Sequence, residues 1–112
     1  MGNTSTILLI FPGQGAQYRG MGSDLFAKYD AARRTYEEAS DVLGYDIAEL
    51  SFSDPDTKIN LTRHTQPALL THSVACLRVF KEQIGIRYSS HAAAGHSLGE
   101  YSALVAADSL DF

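Results

Sequence analysis

A chain of 112 residues that is 45% hydrophobic, with six Tyr and five Phe, has the apolar content for one globular core and excludes a disordered or fibrous protein. Nine basic against 13 acidic residues leave a net charge of −4 with no basic stripe, which excludes an evident nucleic-acid partner. A single cysteine, Cys76, cannot close an internal disulfide, and the expected location is the cytoplasm.

The longest apolar run, Ile7–Phe11, is too short to cross a bilayer, and no positively charged segment precedes it, so no membrane association is expected. The myristoylation-like start Met1–Thr6 and the sequons at Asn3 and Asn60 read as chance matches.

In chain order, Thr6–Phe11 is β-rich and apolar without alternation, which predicts a parallel-sheet strand covered on both faces. Pro12-Gly13-Gln14-Gly15 stops it in a tight turn that bares backbone N–H groups. Over Ser23–Leu43, the residues Leu25, Phe26, Tyr29, Tyr36, Ala39, Val42 and Leu43 recur near helical spacing. They predict one helix, or two with a break, stopped by Gly44.

Ile47–Phe52 has no decisive pattern, and Ser53-Asp54-Pro55-Asp56 turns the chain. Thr65-Gln66-Pro67 predicts a helix with Pro67 in its first turn; Leu70, Val74, Leu77, Lys81 and Ile84 mark its turns, and Gly85 ends it. Ser90–Ala94 predicts a short buried strand, followed by a sharp turn and a helix over Glu100–Ala107. Asp108–Phe112 reads as the cap and first turn of a further helix.

The turn Gly95-His96-Ser97-Leu98-Gly99 has the Gly-x-Ser-x-Gly form of a nucleophile elbow, where glycines relieve the crowding of a strand-to-helix turn and lift the serine hydroxyl clear. Ser97-Leu98-Gly99-Glu100 is equally a capping box, so the residues alone leave both readings open. As an elbow, the helix start favours negative charge, and the Leu98 N–H could meet an oxyanion. A second donor could come from the Gly13-Gln14-Gly15 turn if the two strands are parallel neighbours.

Three stretches in this order, Phe11-Pro12-Gly13-Gln14-Gly15-Ala16-Gln17, Thr65-Gln66-Pro67-Ala68-Leu69 and Gly95-His96-Ser97-Leu98-Gly99-Glu100, resemble the malonyl-CoA:acyl-carrier-protein transacylases and the acyltransferase domains of fatty-acid and polyketide synthases. The resemblance covers essentially the whole chain. It implies an α/β fold with an α/β-hydrolase-like parallel-sheet core. Residues 1–112 would be the N-terminal portion of a single acyltransferase domain, without the small ferredoxin-like subdomain and the C-terminal strands.

By the same resemblance, Ser97 would take a malonyl or related acyl group from coenzyme A as an ester and pass it to the phosphopantetheine thiol of an acyl carrier protein. The backbone N–H groups of Gln14 and Leu98 would form the oxyanion hole, and Gln66 and His96 would lie near the acyl pocket. No cofactor or metal is implied: malonyl-CoA is the substrate, and the phosphopantetheine belongs to the partner.

The family's histidine base, and the arginine that pairs with the malonyl carboxylate, would fall beyond Phe112. The expectation is therefore negligible transfer by this chain alone, and a C-terminal half of the same domain as a partner. Asp108 stands where the family usually has glycine; Asp tolerates a left-handed conformation better than most residues.

Two other readings stay open: a serine esterase or thioesterase, from Gly-x-Ser-x-Gly alone, and a non-catalytic fragment that binds acyl-CoA or a partner. His72 and Cys76 stand four apart on a helix, but two ligands do not make a metal site. Cys76 is expected in the core and His64 and His91 on the surface or in loops, with Arg33-Arg34 and Glu37-Glu38 on a solvated face.

Overall fold

The computed structural model describes residues 7–84 and 92–112. Strand β1 (Leu8–Phe11) leads to helices α1 (Ser23–Lys28), α2 (Asp30–Leu43), α3 (Ile47–Phe52) and α4 (Thr62–Ile84), then to β2 (Ala92–Gly95) and α5 (Gly99–Ala106). The predicted starts at Thr6 and Ser90, the helix stop at Gly85 and the placement of His91 lie outside the described residues.

β1 and β2 pair in parallel, with Leu8 opposite Ala92 and Phe11 opposite Gly95. Parallel neighbours need a crossover, which here contains four helices. The expectation of a strand covered on both faces is not met. Leu9 and Phe11 pack with Leu77 of α4 and Ala103 and Ala106 of α5, whereas Leu8 and Ile10 are 54% and 72% exposed. Successive strand side chains point to opposite faces, and among the described residues α4 and α5 reach only one of them.

The segment Ser23–Leu43 is two helices. Tyr29 is extended (φ −122°, ψ 128°), and its N–H closes α1 on the Leu25 carbonyl at 2.8 Å. α2 buries Ala31, Ala32, Thr35, Tyr36 and Ala39, and Gly44 terminates it in a left-handed conformation (φ 81°). Val42 leaves the apolar stripe and is 80% exposed.

Facing α2, α4 contributes Ala68, Leu69, Ala75 and Val79 to the same core, where alanines on both helices leave room for close approach. Phe26, Tyr36 and Phe52 form a trio with centroid separations of 5.1 to 5.9 Å, Phe26 edge-on to the other two and Tyr36 tilted against Phe52. Glu38 does more than face solvent: Arg78 Nη1 donates to its Oε2 at 2.9 Å and to Thr35 Oγ1 at 3.2 Å, linking α4 to α2. Arg33 pairs with Asp30 and Glu37 on its own helix.

α3 forms because Asp46 Oδ1 accepts the Glu49 N–H at 3.0 Å, an N-terminal cap, while Ser40 Oγ accepts the Ile47 N–H at 3.1 Å.

α4 starts at Thr62, so Pro67 lies inside the helix and does not open it. Proline there removes only the bond that the Arg63 carbonyl would accept, and the preceding turn is held otherwise. Thr65 N–H donates to the Leu61 carbonyl at 2.8 Å, and the buried Thr65 hydroxyl donates to the carbonyls of Ile59 and Leu61.

His64 accordingly sits on α4, partly exposed, with its ring edge-on to Tyr45. Cys76 is only half-buried. Residues 108–112 make no helical turn: Asp108 is left-handed (φ 58°), and the Phe112 ring lies 5.0 Å from the Arg78 guanidinium.

Candidate active site

The C-terminal ends of the two strands place two loops side by side. β2 ends at Gly95, His96 N–H donates to the Phe11 carbonyl at 3.2 Å, and α5 begins at Gly99. Between them Ser97 takes φ +55°, a left-handed conformation that costs a non-glycine residue about 1 kcal/mol or more. The flanking glycines are needed for space. A Cβ at Gly95 would lie within 3.0 Å of the Gly99 carbonyl and the Glu100 N–H, and one at Gly99 within 3.0 Å of the Phe11 and Pro12 oxygens.

This geometry speaks against the capping-box reading of these residues. Ser97 does not cap α5: Leu98 occupies the N-cap, with no side-chain cap bond. The first turn closes through the backbone, with Gly99, Glu100 and Tyr101 N–H groups donating to the carbonyls of His96, Ser97 and Leu98, each at 3.0 Å. Ser97 is exposed at the apex, and among the described residues no side chain bonds its hydroxyl.

The second loop follows β1. A Cβ at Gly13 would overlap the His96 carbonyl oxygen and lie 3.5 Å from His96 Nδ1, so this loop abuts the elbow. Gly15 is left-handed (φ +111°), with nothing within 4 Å of the position its Cβ would take. Among the described residues neither the Gln14 nor the Leu98 backbone N–H donates to a protein acceptor. Two N–H groups without a protein acceptor thus lie on the two adjoining loops, one of which carries the exposed Ser97.

Gln66 is exposed on α4, one turn beyond Thr62, whose hydroxyl accepts Gln14 Nε2 at 3.0 Å. That bond brings the Gln14 loop to the end of α4 that carries Gln66. His96 is exposed beside Ser97, with its carbonyl against Gly13.

Two residues went unmarked as site residues by sequence. Gln17 Oε1 accepts the Gly15 N–H at 2.7 Å, and its Nε2 donates to Asn60 Oδ1 at 2.8 Å. Gln17 belongs to the first of the three stretches, whereas Asn60 carried no signal but a sequon.

His72 and Cys76 bond to each other, at 3.6 Å between Nε2 and Sγ, and among the described residues no group of three or more His, Cys, Asp or Glu converges as a metal site. No helix among them is long and apolar enough to cross a membrane.

The sequence profile of the acyl transferase domain matches residues 8–111, and the chain belongs to that family. Within it, the chain is 50% identical over 103 residues to the malonyl CoA-acyl carrier protein transacylase of Escherichia coli, a match that covers 92% of this chain and 33% of that one. The enzyme of the same name from Haemophilus influenzae is 50% identical over 104 residues, covering 93% of this chain and 33% of its own.

The acyl-carrier-protein S-malonyltransferase of Burkholderia pseudomallei superposes with a TM-score of 0.89 at 44% identity, over 96% of this chain and 34% of that structure. A malonyl-transacylase solved in complex with a type II polyketide synthase acyl-carrier protein superposes with a TM-score of 0.88 at 48% identity, over 96% of this chain and 34% of its own. The fold is thus a piece of the acyltransferase fold, and the chain spans about a third of the length of the curated relatives it matches.

Proposed function

We propose that this chain supplies the nucleophile and oxyanion donors of an enzyme that moves a malonyl group from coenzyme A to an acyl carrier protein. The observation that carries the reading is Ser97 at φ +55°, exposed at the elbow and adjoined by the loop with the free Gln14 N–H. The names of the relatives and the carrier-protein complex of one of them support the choice of substrate and partner.

In this reading Ser97 Oγ attacks the thioester carbonyl of malonyl-CoA, and its proton passes through a base to the departing coenzyme A thiol. The carbonyl oxygen becomes an oxyanion held by the N–H groups of Gln14 and Leu98, then re-forms C=O as the C–S bond breaks. The phosphopantetheine thiol of the carrier protein attacks the Ser97 ester, the acyl C–O bond breaks, and the proton returns to Oγ. Gln66 and His96 border the acyl group.

A histidine base and an arginine for the malonyl carboxylate come from the C-terminal part of the domain, so the chain alone is inactive and complementation restores turnover. We place the reaction in the cytoplasm, in keeping with the free thiol of Cys76.

The test is to mix the chain, a complementing C-terminal portion of the domain and malonyl-CoA, then locate the adduct by mass spectrometry. A malonyl ester on Ser97 that a carrier protein discharges is expected. A folded, complemented pair with no adduct, or one at another residue, rejects the reading. Discharge to water without dependence on a carrier protein would instead indicate a thioesterase.

A further inference from the structure

We infer that Gln17 and Asn60 form an amide clasp that positions the Gln14 oxyanion donor, a role that rests on the acyl-transfer reading of the elbow. Gln17 uses both ends of its amide, accepting from Gly15 N–H at 2.7 Å and donating to Asn60 Oδ1 at 2.8 Å. Gln14 Nε2 adds a second tie, to Thr62 Oγ1 at 3.0 Å. The loop is thus fastened at two points to the segment that enters α4.

That segment is a fixed anchor. The buried carboxylate of Asp54 accepts the N–H groups of Lys58 and Ile59 at 2.6 and 3.2 Å, and the buried Thr65 hydroxyl donates to the Ile59 carbonyl. On its other side the loop meets the His96 carbonyl at Gly13.

Between these two walls Gly15 has no steric support: its φ is +111°, and nothing lies within 4 Å of the position its Cβ would take. A glycine in open space leaves the Gln14–Gly15 peptide free to rotate, so the clasp on the Gly15 N–H, with the Thr62 tie on the Gln14 side chain, fixes Gln14 and through it the preceding peptide that carries the Gln14 N–H. Gln14 and Asn60 are exposed and Gln17 is half-buried, and such bonds near the surface add little to global stability. Their effect falls on the aim of one donor, for which a small displacement is costly.

Gln17→Leu removes both clasp bonds. In the chain complemented by a C-terminal portion, kcat is expected to fall about 10- to 100-fold, with the KM for malonyl-CoA and the thermal midpoint unchanged. Gln17→Glu keeps the acceptor for Gly15 and lets Asn60 turn its amide to donate, so it recovers most of the rate. Asn60→Leu behaves like Gln17→Leu, and Asn60→Asp, still an acceptor, does not. A Gln17→Leu enzyme within about twofold of the parent, or a Gln17→Glu enzyme no better than Gln17→Leu, overturns the inference.

If the parent protein transfers no acyl group, the acyl-transfer reading fails, and amide exchange on the 112-residue chain decides the clasp. Faster exchange at Gly15 in Gln17→Leu but not in Gln17→Glu supports it; equal exchange in all three overturns it.

Discussion

The backbone oxygen of His96 fills the space that a side chain at Gly13 would need, so these two residues set the separation of the loops that carry Ser97 and Gln14. Gly13 is there for closeness, since its φ lies outside the left-handed range that Gly15 adopts.

Gly13→Ala should therefore push the two loops apart. A loss of about 1–3 kcal/mol is expected in urea denaturation, as for overpacked cores, together with a loss of acylation at Ser97. An unchanged midpoint would show that the loops yield at no cost. Gly15→Ala makes the contrast, because its Cβ meets nothing and only its positive φ is penalised.

Ser97→Gly should stabilise the chain while abolishing the acyl adduct. Glycine accepts φ +55° freely, and the gain is expected to be up to about 1 kcal/mol after the extra entropy of the unfolded chain. Ser97→Ala keeps the strained backbone, so it should lose the adduct with little change in midpoint. A Ser97→Gly protein less stable than Ser97→Ala would contradict the strain.

Between α2 and α4, Tyr36, His72 and Cys76 form a chain, with Tyr36 Oη 3.5 Å from His72 Nδ1 and Cys76 Sγ 3.6 Å from His72 Nε2. Burial lowers the His72 pKa from its ordinary 6.5, against the opposing charge of Asp24. Burial raises Cys76 above 9.0, with Asp24 adding to it, and raises Tyr36 above 10.0, with Cys76, Tyr18 and Asp24 adding in turn.

A lowered His72 means that the unfolded chain binds the proton first. Its contribution is present above pH 6.5 and lost as pH falls below it. The raised thiol and phenol contribute below pH 9.0 and 10.0 and lose that contribution above. The denaturation midpoint should be highest between these limits. His72→Gln should flatten the acid limb, leaving the share due to His64, which burial also lowers, and Cys76→Ser should weaken the alkaline one. Limbs that both variants leave untouched would refute the assignment.

Asp46→Ala removes the acceptor of the Glu49 N–H at the start of α3 and should cost about 1 kcal/mol in urea denaturation. Asp46→Asn, which keeps an acceptor, should cost less. Equal losses would mean that the charge and not the cap matters.

Where the sequence was legible, a local physical reason was written in it. Gly95 and Gly99 announced a turn too tight for side chains, and Gly44 a helix end; the structure has both. Asp46-x-x-Glu49 carried a capping signal for α3 that the ambiguous run Ile47–Phe52 obscured.

Pro67 misled for the opposite reason. Its local preference for a first turn yielded to the buried Thr65 hydroxyl, which holds an additional turn ahead of it. The choice between cap and elbow at Ser97 could not be made from Ser-x-x-Glu, because it depends on a left-handed φ that serine pays for only in this setting. The Gln17–Asn60 bond joins residues that no periodicity relates.

The parallel register has a consequence for the order in which the molecule is built. Leu8 meets Ala92, so the pairing that brings the two loops together must close roughly eighty residues of chain, at an entropy cost that local helical contacts avoid. α2 and α4 can dock while the strands are still apart, and pulse-labelled amide exchange should protect them before β1 and β2; simultaneous protection would refute this sequence of events. The serine's surroundings would then be among the last features to form, and a chain still being synthesised would pass through most of its folding with Ser97 and Gln14 not yet neighbours.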